Sequence, residues 1–483
     1  MSWLRRHWMA GALLVLAAVL RGIVLAAYHP ALIFPDSVRY LQYAHNFAHG
    51  HWTVDGQRQS GYSVLITPLI FPNVLWLIPL SQHFVGMVTA VLVYAVLIRL
   101  GASRWLAALA TIPVLFDPLQ LILEQYVLTD VWTVLLLLGA LVILVWRPDR
   151  LTWRAAAVCG LLLAVAVMFR DQDLIMIVPA LGYLLVRRCP ARVLAALVLS
   201  FAIPVTGYLG WFYASHGKWN FTTFGGAFLY GRVADFADCT GLRLPSYEKP
   251  LCPTQPPSQR VADFYTWNPA SPQWTFTPPP GKSRDSVVQD FSLRILRHQP
   301  LAYAEAAGRD FGYGFSPVRG AGPEHYPLDY LTFQTHIKPD TAADASLAAI
   351  GIKPPKSRPG LAAFLHGYGR FFYIPGPLLA AGLLLGLAGT VLRRRVCKGG
   401  PGGGLPPAAN CGLFTVSTVA VLAVPAAFAT FDWRYQLPQL SFVPIAAFLG
   451  WQALTALRPA SGGTSPQDRP ASAESDPAPS PGR

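Results

Sequence analysis

The sequence predicts an all-α polytopic membrane protein with about ten transmembrane helices and a large loop region on the outer face. Three observations predict it. Only 13% of the 483 residues are charged, about half the ~25% usual in soluble proteins. Mean hydropathy is +0.39. Apolar runs such as 131–146, 155–169 and 373–392 approach the ~20 residues that cross a bilayer as a helix.

Read in order, the spans fall at about 8–28, 81–100, 104–116, 126–146, 154–169, 174–187, 192–213, 371–392, 411–431 and 437–457. The first is read as a retained helix, because no small-residue cleavage site clearly follows it. Segment 63–80 is apolar but broken by Pro68, Pro72 and Pro79, so it reads as interfacial or re-entrant. The third span is short, with Pro113 and Pro118 at its outer end. The loop after it is expected to be recessed and to line a cavity.

Charge sets the orientation. Arg5 and Arg6, Arg99 and Arg104, then Arg147, Arg150 and Arg154, then Arg187, Arg188 and Arg192, and finally Arg393 to Arg395 with Lys398 fall in alternate connections. The other connections carry Asp36, Asp55, Asp117, Glu124, Asp171, Asp173 and Asp432. Positive connections belong on the cytoplasmic side, so both termini are expected there. The net charge of +14 is thereby explained by short loops, with no reason to invoke a nucleic-acid partner. High Arg, Ala and Pro with little Lys hint at a GC-rich bacterial genome.

The chain divides into an N-terminal transmembrane module (1–213), an extracytoplasmic loop region (214–370), C-terminal transmembrane helices (371–457) and a Pro-, Ser- and Gly-rich tail (458–483) expected to be disordered. In the loop region, Cys239 and Cys252 lie close in sequence on the oxidising side, and a disulfide is expected. Phe291, Ile295 and Leu296 share one face of a helical pattern between Asp285 and Gly312, interrupted at Pro300. That pattern reads as an amphipathic helix at the outer membrane surface that braces the fold.

The cytoplasmic loops are too short for a nucleotide-binding domain, and no Gly-rich phosphate loop follows a strand. Chemistry is therefore expected outside. In the first outer loop Asp36 reads as the cap of a short helix, with Arg39 and Tyr40 one turn on. Glu124 lies in the second outer loop and Asp130 one turn into the fourth span. Arg170 ends the fifth span, and Arg434 and Tyr435 occupy the last outer turn. A buried carboxylate needs a partner, and Arg21 is the one cation well inside another span, so an Arg21–Asp130 pair is expected. His45, His49 and His51 invite a zinc reading, but lack a Cys or an obvious fourth ligand; an exposed cluster or sugar contacts fit them better.

These outer-loop residues carry a resemblance. Asp36 with Tyr40, Ser60-Gly-Tyr-Ser63, Glu124 with Leu128-Thr-Asp130, Arg170, and Arg434-Tyr-x-x-Pro438 together resemble the GT-C superfamily of polyprenyl-phosphate-sugar-dependent glycosyltransferases. That superfamily includes protein O-mannosyltransferases, the lipid A aminoarabinose transferase and arabinofuranosyltransferases. No single motif is specific; their order and common outer location carry the likeness from the first span to the last.

The resemblance implies the GT-C fold and an inverting transfer of a hexose or pentose from a polyprenyl-phosphate donor to a cell-envelope acceptor (glycan, lipid or protein) at the outer face of the plasma membrane. It implies Asp36 as catalytic base. Arg170 and Arg434 would be donor-phosphate ligands, because guanidinium matches phosphate with paired donors, and Tyr435 would add a hydroxyl. Glu124 is assigned to the catalytic centre, orienting the acceptor or binding a divalent cation, which some relatives use; no metal ligand set is assigned. Arg39, Tyr40 and Asp130 complete the substrate-binding set, Asp130 with the structural alternative above. Two other classes compete: a transporter or lipid-linked-sugar flippase, and a noncatalytic subunit of an envelope-assembly complex. Transporters place ionisable groups near the midplane in paired repeats, and no such repeat is evident.

Overall fold

The structure, a computed structural model, describes residues 5–70, 74–147, 151–320, 328–396 and 406–455. The expected disordered tail, 458–483, lies outside the described residues. The described residues are mainly helical; the one two-residue strand pair among them joins Tyr28–His29 to Lys356–Ser357.

The first helix, α1 (Trp8–Ala27), is apolar but for Arg21, and ends where Tyr28 turns extended. The short α2 (Pro35–Ala48) follows. Its N-cap is Phe34, whose N–H donates to Ser37 Oγ at 2.9 Å. Asp36 therefore lies inside the first turn instead of capping it, because Pro35 takes the first helical position, where its missing N–H costs nothing. The helix dipole still favours its negative charge. Next come α3 (Gly61–Ile66) and the long α4 (Leu77–Arg99).

The expected third span is a broken one. Helices α5 (Arg104–Leu109) and α6 (Ile112–Phe116) run to Asp117, where the axis bends by 49° into α7 (Pro118–Gln125). The recessed loop is thus a helix, and all its residues are buried. Asp117 caps it, accepting the Leu119 N–H at 2.8 Å. Then follow α8 (Asp130–Trp146), α9 (Trp153–Phe169), α10 (Ile177–Val186) and α11 (Ala191–His216).

The loop region holds α12 (Gly225–Ala234), α13 (Ala262–Trp267), α14 (Pro272–Thr275), α15 (Arg284–His298), α16 (Pro300–Tyr313) and α17 (Thr341–Ala348). The expected break at Pro300 separates α15 from α16. Phe291 and Ile295 of α15 pack with Tyr230, Val233 and Tyr265 in a core separate from the transmembrane one, so their apolar face braces the loop region. Cys239 and Cys252 are bridged. The chain closes with α18 (Pro359–Phe371), α19 (Gly376–Val396), α20 (Pro406–Phe428) and α21 (Gln439–Thr455).

Among the described residues, five helices are long and apolar enough to cross a membrane, or seven if the two pairs bent by 49° each count as one span. Apolar α8 and α9 are shorter. This is a multi-pass membrane protein. Length alone falls short of ten spans because Asp117 and the turn before Gly376 interrupt two apolar stretches, and because α8, α9 and α10 are only 17, 17 and 10 residues long.

Candidate active site

Three loop segments converge over the transmembrane helices. Leu32 forms a parallel bridge with the stretch between α7 and α8: its N–H donates to Gln125 O at 3.0 Å, and its carbonyl accepts the Val127 N–H at 3.3 Å. Ser37 Oγ donates to Val127 O at 2.9 Å. The loop bearing Asp36 is thereby tied to the segment that leads into Asp130.

The third segment is the last turn. Arg319 makes a forked contact with Asp117 at 2.8 and 3.0 Å and reaches Gln436 Oε1 at 2.9 Å. The Phe431 N–H donates to Asp310 Oδ2 at 3.1 Å, and Asp310 is itself paired with Arg232. The turn carrying Arg434 is therefore held from both sides.

The convergence encloses a cavity of about 490 Å3 lined by Asp36, Tyr40, Arg58, Arg170, Arg434 and Tyr435. Arg58 Nη2 donates to Asp36 Oδ1 at 2.5 Å, and Arg434 Nη2 to Asp36 Oδ2 at 3.0 Å. Behind them Arg170 Nη1 donates to Asp130 Oδ1 at 2.6 Å, with Arg434 Nε 3.8 Å from the same oxygen. Aromatic rings hold the guanidiniums: Arg58 over Trp267 at 4.9 Å, Arg170 over Tyr435 at 5.4 Å, and Arg434 over Phe34 at 5.0 Å. Such stacking suits the planar guanidinium of arginine better than the ammonium of lysine. Arg434 Nε and Nη1 are buried without a hydrogen-bond acceptor among the described residues.

Burial pushes the Asp36 carboxyl up, but the charges of Arg58 and Arg434 outweigh it and hold it at about 2. Burial lifts Tyr40 to about 12, so its hydroxyl keeps its proton. Asp263 and Asp432 also line the cavity. Burial, reinforced by the Asp36 charge, raises Asp263 to about 6; burial raises Asp432 to about 6 against the pull of Arg434.

Five of the sequence-selected residues thus meet in one cavity: Asp36, Tyr40, Arg170, Arg434 and Tyr435. Arg39 does not line it; the side chain bonds Gln57 and Gln42 and pairs with Asp55. Asp130 lies behind it as the partner of Arg170. Arg58, Asp263 and Asp432 were not singled out from sequence. Arg58 had a signal, as one of two arginines, with Arg39, in the connection that also carries Asp36 and Asp55; Asp263 had none.

The expected Arg21–Asp130 pair is not formed. Arg21 Nη2 donates to Glu124 Oε1 at 2.7 Å, and its Nη1 to the Leu115 carbonyl at 2.8 Å. His83 Nδ1 lies 2.6 Å from Glu124 Oε2, and Gln120 Nε2 donates to Oε1 at 2.9 Å. Glu124 is 0% exposed and does not line the cavity. Its oxygens are occupied by an arginine, a histidine and an amide, a set that does not fit a divalent cation. The physical reason is the Asp117 bend, which buries the whole of α7. Among the described residues no group of three or more His, Cys, Asp or Glu side chains is arranged to hold a metal. His49 Nδ1 bonds the His45 carbonyl at 2.8 Å, outside the cavity.

No sequence-family model and no curated protein matches the chain. Solved structures do. The chain is similar to the Archaeoglobus fulgidus oligosaccharyltransferase in its apo form, at 13% identity over 94% of this chain and 51% of that one, with a TM-score of 0.43. It is similar to ArnT from Cupriavidus metallidurans bound to undecaprenyl phosphate, at 14% identity over 92% and 77%, with a TM-score of 0.37. The S. cerevisiae protein O-mannosyltransferase Pmt1–Pmt2 complex bound to the sugar donor matches at 16% identity over 51% and 38%, with a TM-score of 0.36. The chain spans about half the length of the oligosaccharyltransferase and less of the O-mannosyltransferase.

Proposed function

We propose that this protein is an inverting GT-C glycosyltransferase that moves a hexose or pentose from a polyprenyl-phosphate donor to a hydroxyl of a cell-envelope glycan, lipid or protein. One observation carries the reading: Asp36 lies between two arginines, with a third behind them, in a single cavity. The unmatched N–H groups of Arg434 are suited to an anionic ligand. A cluster of stacked guanidiniums at a loop–membrane boundary fits a lipid phosphodiester. The Arg-rich alternate connections support a cytoplasmic location for both termini and an extracytoplasmic active site at the plasma membrane.

In the transfer, the acceptor oxygen attacks the anomeric carbon, the bond from that carbon to the phosphate oxygen breaks, and the electron pair leaves with the phosphate. Arg58, Arg170 and Arg434 stabilise the charge that develops there. The acceptor proton goes to Asp36. With two arginines on it, Asp36 is a poor base; a donor phosphate competes for those guanidiniums and frees the carboxylate, which then gains basicity. Asp130 is a positioning residue, holding Arg170 and Arg434 from behind.

The test is release of polyprenyl phosphate from a panel of polyprenyl-phosphate sugars by the purified protein in lipid, with a crude envelope acceptor. Asp36→Asn should fold, bind donor and lose at least ~10²-fold in turnover. Near-normal release by that variant removes the mechanism, and no release across the panel removes the transferase reading.

A further inference from the structure

A second cavity of about 470 Å3 lies against the first, and Phe34 lines both. On one side the Phe34 ring carries Arg434 at 5.0 Å. On the other it meets the edges of Tyr126 at 5.6 Å and Tyr330 at 5.3 Å. Pro35 lines the second cavity and Asp36 the first, so consecutive residues of one helical turn face the two spaces. The volume falls in the roughly 300–1,000 Å3 of small-ligand sites.

The two cavities differ in the cations they offer. Arg58, Arg170 and Arg434 line the first beside Asp36, Asp171, Asp263 and Asp432, whereas Asp329, Asp340 and Asp344 line the second with Lys338 as its cation. Lys338 is paired with Asp329. Asp340 caps α17 by accepting the Ala342 and Ala343 N–H groups. Asp344 is half-buried, and its carboxylate has no partner among the described residues. An anion entering here meets like charge without a free cation to offset it.

The polar groups left over point to a ligand rich in hydroxyls. Tyr126 is 3% exposed, lines this cavity, and has a hydroxyl with no hydrogen-bond partner among the described residues. That hydroxyl is not enclosed by protein, so it can donate to or accept from a ligand hydroxyl in the cavity. Tyr28, by contrast, already donates to Gln334 O at 2.8 Å. The remaining wall is made of tyrosine rings and of Pro339, Pro354 and Pro355, flat apolar surfaces against which the C–H faces of a sugar ring pack.

We infer that the second cavity is the acceptor site and that it takes a neutral or amine-bearing carbohydrate, not a phosphorylated one. The inference rests on the glycosyltransferase reading for the word acceptor; the carbohydrate-binding claim stands on the cavity alone. Phe34 and Pro35, which line this cavity, directly precede Asp36 in the chain.

The experiment uses the full-length protein in nanodiscs on an array of neutral, amine-bearing and phosphorylated or sulfated oligosaccharides. In parallel, polyprenyl phosphate release from the donor panel is measured. Wild type should bind neutral or amine-bearing oligosaccharides, and Tyr126→Phe with Asp344→Asn should weaken that binding about tenfold or more. Tyr126→Phe keeps the ring, and an unchanged thermal melt shows that the variant is folded. Binding to no oligosaccharide, preference for anionic ones, or binding unaltered in the double variant overturns the inference. Array binding that is lost in the variant, with no donor cleaved, sinks the transferase reading and keeps the carbohydrate site. Donor cleavage with no array binding does the reverse.

Discussion

Asp36 and Arg434 are 398 residues apart in the chain, and their side chains meet at 3.0 Å. The contact joins the connection after α1 to the turn between α20 and α21. In the proposed reaction it is where the donor phosphate would compete with the protein's own carboxylate.

That competition predicts how Arg434 responds to substitution. Arg434→Gln should weaken donor binding and lower kcat/KM by about 10²-fold, in the range seen when one charge-stabilising donor is removed. Arg434→Lys should recover little, because an ammonium cannot stack on Phe34 while reaching both Asp36 and a phosphate. Steady-state kinetics on the donor cleaved by wild type checks both; full recovery by lysine would show that only charge is needed.

Glu124 and Arg21 make a second long-range pair, at 2.7 Å, and it belongs to stability. Breaking a buried pair from one side costs about 3–5 kcal/mol, so Glu124→Ala and Arg21→Ala should each lower the melting temperature, with the double variant costing less than the sum. The Arg21 and Asp130 changes should add. Gly86 provides an independent check. A Cβ there would lie 1.7 Å from Glu124 Oε1, so Gly86→Ala should destabilise, although the same change in an open helix stabilises by about 1 kcal/mol. A more stable Gly86→Ala variant would contradict the packing around Glu124.

These two pairs also mark what was legible in the sequence. Asp36, Arg170 and Arg434 were readable because each stands where an apolar stretch gives way to a connection, and such ends gather at one membrane boundary. The partner of Arg21 was not. Depth along a span follows from ~1.5 Å per residue, but the direction a side chain faces, and the 49° bend at Asp117, do not follow from depth. Glu124, assigned to an outer loop, is carried by that bend into the buried core. Arg58 was missed for a related reason: its role comes from Asp36 and Trp267, which reach it from separate segments.

The Cys239–Cys252 bridge was expected from compartment and spacing. Closing a loop of this size removes about 3 kcal/mol of unfolded-state freedom in the chain-entropy account. Intact-mass analysis should show two more alkylatable thiols after reduction than before. Cys239→Ser with Cys252→Ser should lower the melting temperature without changing the donor's KM, since neither residue lines the first cavity. An altered KM would mean that the loop core couples to the donor site.

The cavity carboxylates predict a pH dependence of donor binding. Asp263 and Asp432 titrate at about 6, above the ordinary aspartate value near ~3.9. A group raised in the folded state adds stability below its unfolded value and loses that contribution as pH rises through its folded value. The window is therefore from about pH 4 to about pH 6. Across its upper part the two groups become anions beside the arginines that bind phosphate, so donor KM should rise between pH 5 and pH 7. Asp36 acts oppositely: held at about 2, its contribution is complete above its unfolded value and disappears only as pH falls through 2. Asp432→Asn should flatten the KM profile at fixed ionic strength and leave the acid limb below pH 4 in place. A profile of unchanged steepness would remove Asp432 from the donor's electrostatic surroundings.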